Sequence, residues 1–201
     1  MHEITSTLTG PTVAESLATI AAEQARVIRR LIDGPNTTPD AEFEAAVARL
    51  QTARRIFVMG AGRSGLALRM TAMRLMHLGL DVHVVGEVTT PAIAASDVLL
   101  VASGSGMTRA VVGAAETAGQ VGAAIVTITT TPGSRLAELS STTIVLPAAQ
   151  KEDHAGTISA QYSGSLFEQL VLTVGDAIFH TLWQASGATA EQLWPRHANL
   201  E

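Results

Sequence analysis

A chain of 201 residues is long enough to bury its own core, and with no cysteine it can form no disulfide, zinc-thiolate site or thiol nucleophile. A formal charge of -5 without any block of Lys or Arg argues against nucleic acid and against an anionic membrane as partners. Charged residues make up 15% and hydrophobic ones 47%, against roughly 25% charged in typical soluble proteins, so apolar surface is left over and a homo-oligomer is expected.

Residues 1–6 lack the basic start and apolar core of an export signal. No apolar run approaches the roughly 18 residues of a membrane span, which makes the cytoplasm the expected compartment. Thr12 followed by Glu15 has capping-box spacing, and Val13, Leu17, Ile20, Val27, Ile28 and Leu31 recur at helical intervals. This long amphipathic helix should stop at Asp33-Gly34-Pro35. Thr38-Pro39 reads as the cap and first turn of a second helix, whose Phe43, Val47 and Leu50 share a face.

From residue 55 the period changes. Residues 55–59, 81–85, 97–102, 123–130 and 142–146 are short runs rich in Val and Ile, which predicts five strands. Segments of helical composition, 64–77 and 108–118 among them, separate most of these runs. The expected class is therefore α/β, a three-layer sandwich with a central five-stranded parallel sheet flanked by helices. Ligands of such sheets lie at the carboxyl ends of the strands, near a switch in strand order. The polar stretch 148–163, with Lys151, Glu152, Asp153 and His154, reads as a pocket rim or as a solvated loop, the loop being the simpler account. A last long helix spans 166–183, and a short tail follows Gly187.

Two turns carry the chemistry. Ser103-Gly104-Ser105-Gly106-Met107-Thr108 joins the third strand to a helix, where small hydroxyls, free backbone amides and a positive helix end would meet. A phosphate site and a plain serine-capped turn explain that hexapeptide equally well. Gly60-Ala61-Gly62-Arg63-Ser64-Gly65 is a literal G-x-G-x-x-G between a strand and a helix, with Glu87 at the distance of a ribose-binding acid. A nicotinamide dehydrogenase is thus one reading. The forked cation of Arg63 and the second hydroxyl-rich turn fit a sugar phosphate better.

Ser165 and Glu168 also have capping-box spacing, which on its own favours a structural role for the acid. The functional alternative is a carboxylate base shielded by Leu166, Phe167 and Leu170. His197 beside Arg196 has the position of a solvated tail residue. The other histidines show no metal-ligand spacing, so neither metal nor cofactor is expected.

Five blocks, Gly60 to Gly65, Arg74-Leu75-Met76-His77-Leu78-Gly79, Ser103 to Gly106, Gly164-Ser165-Leu166-Phe167-Glu168-Gln169 and His197-Ala198-Asn199-Leu200-Glu201, stand in the order and spacing of the 6-phospho-3-hexuloisomerases, which the chain resembles from about residue 12 to its end. That family belongs to the sugar isomerase (SIS) domain superfamily. The resemblance implies one flavodoxin-like SIS domain over 1–201, with a helical segment at 12–51 and a tail at 188–201. It implies a cytoplasmic homotetramer that converts D-arabino-hex-3-ulose 6-phosphate to fructose 6-phosphate, after formaldehyde fixation in the ribulose monophosphate pathway. Gly62, Arg63, Ser64, Ser103, Gly104, Ser105, Gly106 and Thr108 are carried over as sugar-phosphate binders. Glu168 is carried over as the base and His197 as a catalytic residue that reaches a pocket across a subunit contact. A SIS module that binds without reacting, and another isomerase such as one for arabinose 5-phosphate, stay open. This chain has Met107 where relatives usually carry Glu, and Gln161-Tyr162-Ser163 where they often show Gln-Pro-Met.

Overall fold

The short Val- and Ile-rich runs become β1 (Ile56–Gly60), β2 (Val82–Val84), β3 (Val98–Ala102), β4 (Ala124–Thr129) and β5 (Thr142–Val145). They pair in parallel as a five-stranded sheet in the order β2-β1-β3-β4-β5. The computed structural model describes residues 10–33, 40–149 and 158–200. Every residue of β3 is buried, as a strand covered on both faces requires.

Chain direction sets the layers. β1 runs through α3 (Gly62–His77) to β2 on one side, whereas β3 runs through α4 (Arg109–Gln120) to β4 on the other. Right-handed crossovers leaving in opposite directions place their helices on opposite faces. A crevice therefore opens between the carboxyl ends of β1 and β3.

Period-two alternation divides the core accordingly. Ile56, Val58, Leu100, Val126 and Ile144 face a layer of α1 (Val13–Asp33), α2 (Asp40–Thr52), α3 and α6 (Ser165–Ser186). Phe57, Leu99, Val101 and Ile125 face Val111, Ala115 and Ala118 of α4, and Leu136 of α5 (Arg135–Glu138).

The Thr12 capping box forms: its amide and hydroxyl donate to Glu15 Oε2 at 2.7 and 2.9 Å, and the Glu15 amide returns a bond of 3.2 Å. Of the apolar row on α1 only Val27 and Leu31 are buried, while Val13 and Leu17 stay exposed. Gly34-Pro35, Thr38-Pro39 and Lys151 to His154 lie outside the described residues. Two short helices were not anticipated, α5 and α7 (Ala190–Leu193), the latter running into a 3-10 turn at Trp194–Arg196. Four residues are too few to show a helical period. No described helix is long and apolar enough to cross a membrane.

Candidate active site

Three helices begin at the crevice, and none is closed by a side chain. Ala61 precedes α3, Thr108 precedes α4 and Gly164, at φ 80, precedes α6, each without a side-chain cap bond. Three α-helices that start elsewhere differ. Thr12, Ser134 and Thr189 cap α1, α5 and α7. Ala61, Ser64, Thr108, Gly164 and Glu168 line a single cleft, so three sets of first-turn amides and three positive helix ends are gathered around it. That is a setting for an anion.

The remaining wall comes from the turn after β3. Ser103, Gly104 and Ser105 line the cleft with Ala102, and Phe167 and Ala149 close it. Ser103 Oγ lies 2.9 Å from Thr108 Oγ1, and Ser105 Oγ accepts the Met107 amide at 3.3 Å. The Gly104 carbonyl accepts the hydroxyls of Thr129, Thr130 and Thr131 at 3.0, 2.8 and 3.2 Å, fixing the turn against the end of β4. These threonines escaped the sequence reading, although three in a row at a strand end next to β3 were a visible signal. Gly106 supports the turn from behind, its amide bonded to the Ser103 carbonyl and its own carbonyl to Leu136.

The G-x-G-x-x-G turn works by close approach. A Cβ on Gly60 would lie 2.8 Å from the Gly65 nitrogen, and one on Gly65 only 2.4 Å from the Gly60 oxygen. Backbone thus packs on backbone, seating the start of α3 against the end of β1. Of the three glycines the outer pair, Gly60 and Gly65, does the seating. Glu87, the acid of the dinucleotide reading, is paired instead with Arg69 at 2.8 Å, both half exposed.

Glu168 is buried to 9% exposure in the first turns of α6, between buried Leu166, Phe167 and Leu170. The capping box expected of Ser165 and Glu168 does not form. Gly164 is the cap and Ser165 the first helical residue, and the Glu168 amide bonds to the Gly164 carbonyl at 3.1 Å. The carboxylate is left to the cleft, where Oε2 receives Nε of Arg63 at 2.5 Å. Ser64, Ser103, Gly104, Ser105, Thr108 and Glu168 are therefore brought together. Gly62 and Arg63 open α3 at the rim.

His197 is elsewhere. Its ring stacks on His77 with centroids 4.0 Å apart and leans on Trp194 at 4.6 Å, with Nδ1 3.1 Å from the Trp194 carbonyl. His77 ends α3 and Ser64 lies in its first turn, which at 1.5 Å per residue separates the two places by about 20 Å. This chain does not bring His197 to its own Glu168. Burial pushes the His77 imidazole below its usual range, with His197 and Arg74 adding to the effect.

Both departures from the family pattern lie off the cleft lining. Met107 is exposed. Gln161 and Ser159 donate to the Glu23 carboxylate of α1 at 2.9 and 2.6 Å, holding that carboxyl below its ordinary range despite partial burial and tying the approach to α6 to the first helix.

A family model described as the SIS domain matches residues 49–173. The chain is 52% identical over 189 residues to a 3-hexulose-6-phosphate isomerase of Mycobacterium gastri, covering 94% of this chain and 86% of the relative. It is 33% identical to a 3-hexulose-6-phosphate isomerase of Bacillus subtilis over 178 residues, 88% of this chain and 96% of that one. A crystal structure from Methanococcus jannaschii, for which a molecular function of 3-hexulose-6-phosphate isomerase was inferred, superposes with a TM-score of 0.79 at 28% identity, covering 93% of this chain and 99% of the other.

Proposed function

Because the chain belongs to the SIS domain family, we propose that it is a 3-hexulose-6-phosphate isomerase, interconverting D-arabino-hex-3-ulose 6-phosphate and fructose 6-phosphate. The observation that carries the reading is a buried carboxylate, Glu168, in the same cleft as three uncapped helix ends. An anionic tail and a proton-transfer centre then fit one ligand.

The reaction moves a carbonyl from C3 to C2. Glu168 takes the proton from C2, and the electron pair of that bond forms the C2–C3 double bond of an enediolate with its charge on O3. The hydroxyls of Ser103 and Thr108, bonded to each other at 2.9 Å, leave one O–H to donate to such an oxyanion. The proton returns to C3, O3 gains a proton and O2 loses one, giving the 2-ketose with all atoms accounted for. Phosphate on O6 blocks the five-membered hemiketal of the 3-ketose, so the forward direction needs no ring opening.

The phosphate is assigned to the start of α3 and the turn after β3, through Gly62, Arg63, Ser64, Gly104 and Ser105, while Gly106, expected among the binders, holds the turn from behind with its amide bonded to the Ser103 carbonyl. His197 is assigned to the cleft of a neighbouring copy, since its own lies about 20 Å away along α3. An exposed apolar row, Leu66, Met70 and Met73, runs along one face of α3 and supports a homo-oligomer, here taken as a tetramer. The whole of 1–201 is taken as one SIS unit working in the cytoplasm after formaldehyde fixation.

Fructose 6-phosphate incubated with the enzyme in heavy water tests the assignment by proton NMR. The expected result is deuterium at C3, and formaldehyde release once a hexulose-phosphate synthase is coupled. Absence of exchange with any ketose phosphate would replace the isomerase by a binding module.

A further inference from the structure

Arg63 and Glu168 were expected to face the substrate, one as anion ligand and one as base, yet they face each other. Nε of Arg63 and Oε2 of Glu168 are 2.5 Å apart, on side chains 65% and 10% exposed respectively. A carboxylate held this way has one Oε2 lone pair engaged in a charge-assisted hydrogen bond, and opening that bond frees the pair to receive a proton from carbon. Arg63 is the second residue of α3, so its long exposed stem is rooted at the helix end where an anion is favoured. A phosphate monoester brings nearly two charges and three strong acceptor oxygens to that place. It outcompetes a single carboxylate for the guanidinium.

Resting on the isomerase reading above, we infer that Arg63 is a phosphate-operated latch on the base: it holds Glu168 until the substrate's phosphate draws the guanidinium away and frees the carboxylate for the carbon proton. The phosphate then does more than hold the sugar in place. It sets kcat as well as KM, because a sugar without it meets an engaged base. A guanidinium that only bound phosphate, or bridged phosphate and carboxylate together, would give no gain with an unphosphorylated sugar when removed.

The experiment follows deuterium uptake at C3 of unphosphorylated D-fructose in heavy water, with and without inorganic phosphite. Fructose 6-phosphate is the control, and wild type is compared with Arg63→Ala and Arg63→Gln. Phosphite is expected to speed the wild-type exchange about tenfold or more, the scale of one charge-assisted hydrogen bond released. Both variants are expected to exchange fructose faster than wild type by a similar factor, to gain nothing from phosphite and to show a raised KM for fructose 6-phosphate. The latch is overturned if the variants exchange fructose no faster than wild type, or if phosphite stimulates them as much. Should Arg63→Ala fail to fold, the exposed position leaves Arg63→Gln and the wild-type phosphite arm to decide. If wild type does not exchange C3 of fructose 6-phosphate, the isomerase reading fails; if it does and the fructose arms fail, only the latch is lost.

Discussion

The two ends of α3 are built from the same backbone and finished in opposite ways. At the carboxyl end the Leu78 amide bonds to the Arg74 and Leu75 carbonyls, Gly79 to Met76, and Leu80 to Leu75, while Arg196 Nη1 reaches the His77 carbonyl at 3.1 Å. At the amino end Ala61 makes no side-chain cap bond, and the helix opens into the cleft. More imidazole and indole is gathered at the closed end, where His77, His180, His197, Trp183 and Trp194 line a second cleft. Side-chain richness alone would choose that end. The site proposed above lies instead at the end whose first-turn backbone donors face a cleft with no side-chain cap.

Glu168→Gln puts that contrast to its hardest test. The amide keeps size and burial but cannot take a carbon proton, so kcat should fall by about a hundredfold to ten-thousandfold. Binding of fructose 6-phosphate, followed by titration, should survive. Turnover near the wild-type value would show that the open end binds the sugar while the chemistry is done by another group.

Next in size comes a pair of glycine substitutions, one at each end. Gly65→Ala sets a Cβ 2.4 Å from the Gly60 oxygen, backbone against backbone, which has no cheap relief. A loss of about 2 to 3 kcal/mol in stability is expected, together with reduced kcat/KM as the start of α3 shifts. Gly79→Ala meets only the Arg196 side chain, at 3.0 Å, and a φ of 91°, so about 1 to 2 kcal/mol is the expected cost. Chemical denaturation and steady-state kinetics on the same samples separate the two. If Gly79→Ala also depresses kcat, the tail that Arg196 and His197 share is serving a cleft in another copy.

The sequence made the strands legible because a covered parallel strand is a short Val- and Ile-rich run, and β3 is all of that from Val98 to Ala102. The hydroxyls of Ser64, Ser103 and Thr108 and the acid Glu168 were likewise visible, each in a local block. What stayed hidden was joint placement. That the starts of α3, α4 and α6 share a cleft follows from strand order, which no local pattern contains. The bond between Arg63 and Glu168 spans 105 positions and was missed for the same reason. Ser165 and Glu168 have the spacing of a capping box, but Gly164 at φ 80 takes the cap and shifts the frame by one residue. On α1, Val13 and Leu17 continue the apolar row of Val27 and Leu31, yet they lie exposed, because hydrophobic period records an apolar face without saying which chain covers it.

The smallest expected effect is a pH dependence at the closed end. His77 is 4% exposed, and its Nδ1 has no hydrogen-bond partner among the described residues. Burial first, then His197 and Arg74, depress its affinity for a proton in the folded chain below the ordinary 6.5. Below that pH the unfolded chain binds the proton more readily, so this residue's contribution is complete above about 6.5 and is lost as pH falls through the lower folded value. Melts between about pH 7.5 and 5 should fall with acidification, with a slope for one proton of at most about 1.4 kcal/mol per pH unit. Glu23 and Asp97 are held below their usual carboxylate range and lose their contributions at lower pH, outside this window. His77→Phe keeps a flat ring against His197 and removes the titration, so the wild-type minus variant difference isolates the effect. A difference that is flat over this range would mean that His77 takes up its proton without strain. A kcat that falls along the same curve would tie the stacked imidazoles to catalysis in a neighbouring subunit, and the closed end of α3 would then be closed only toward its own chain.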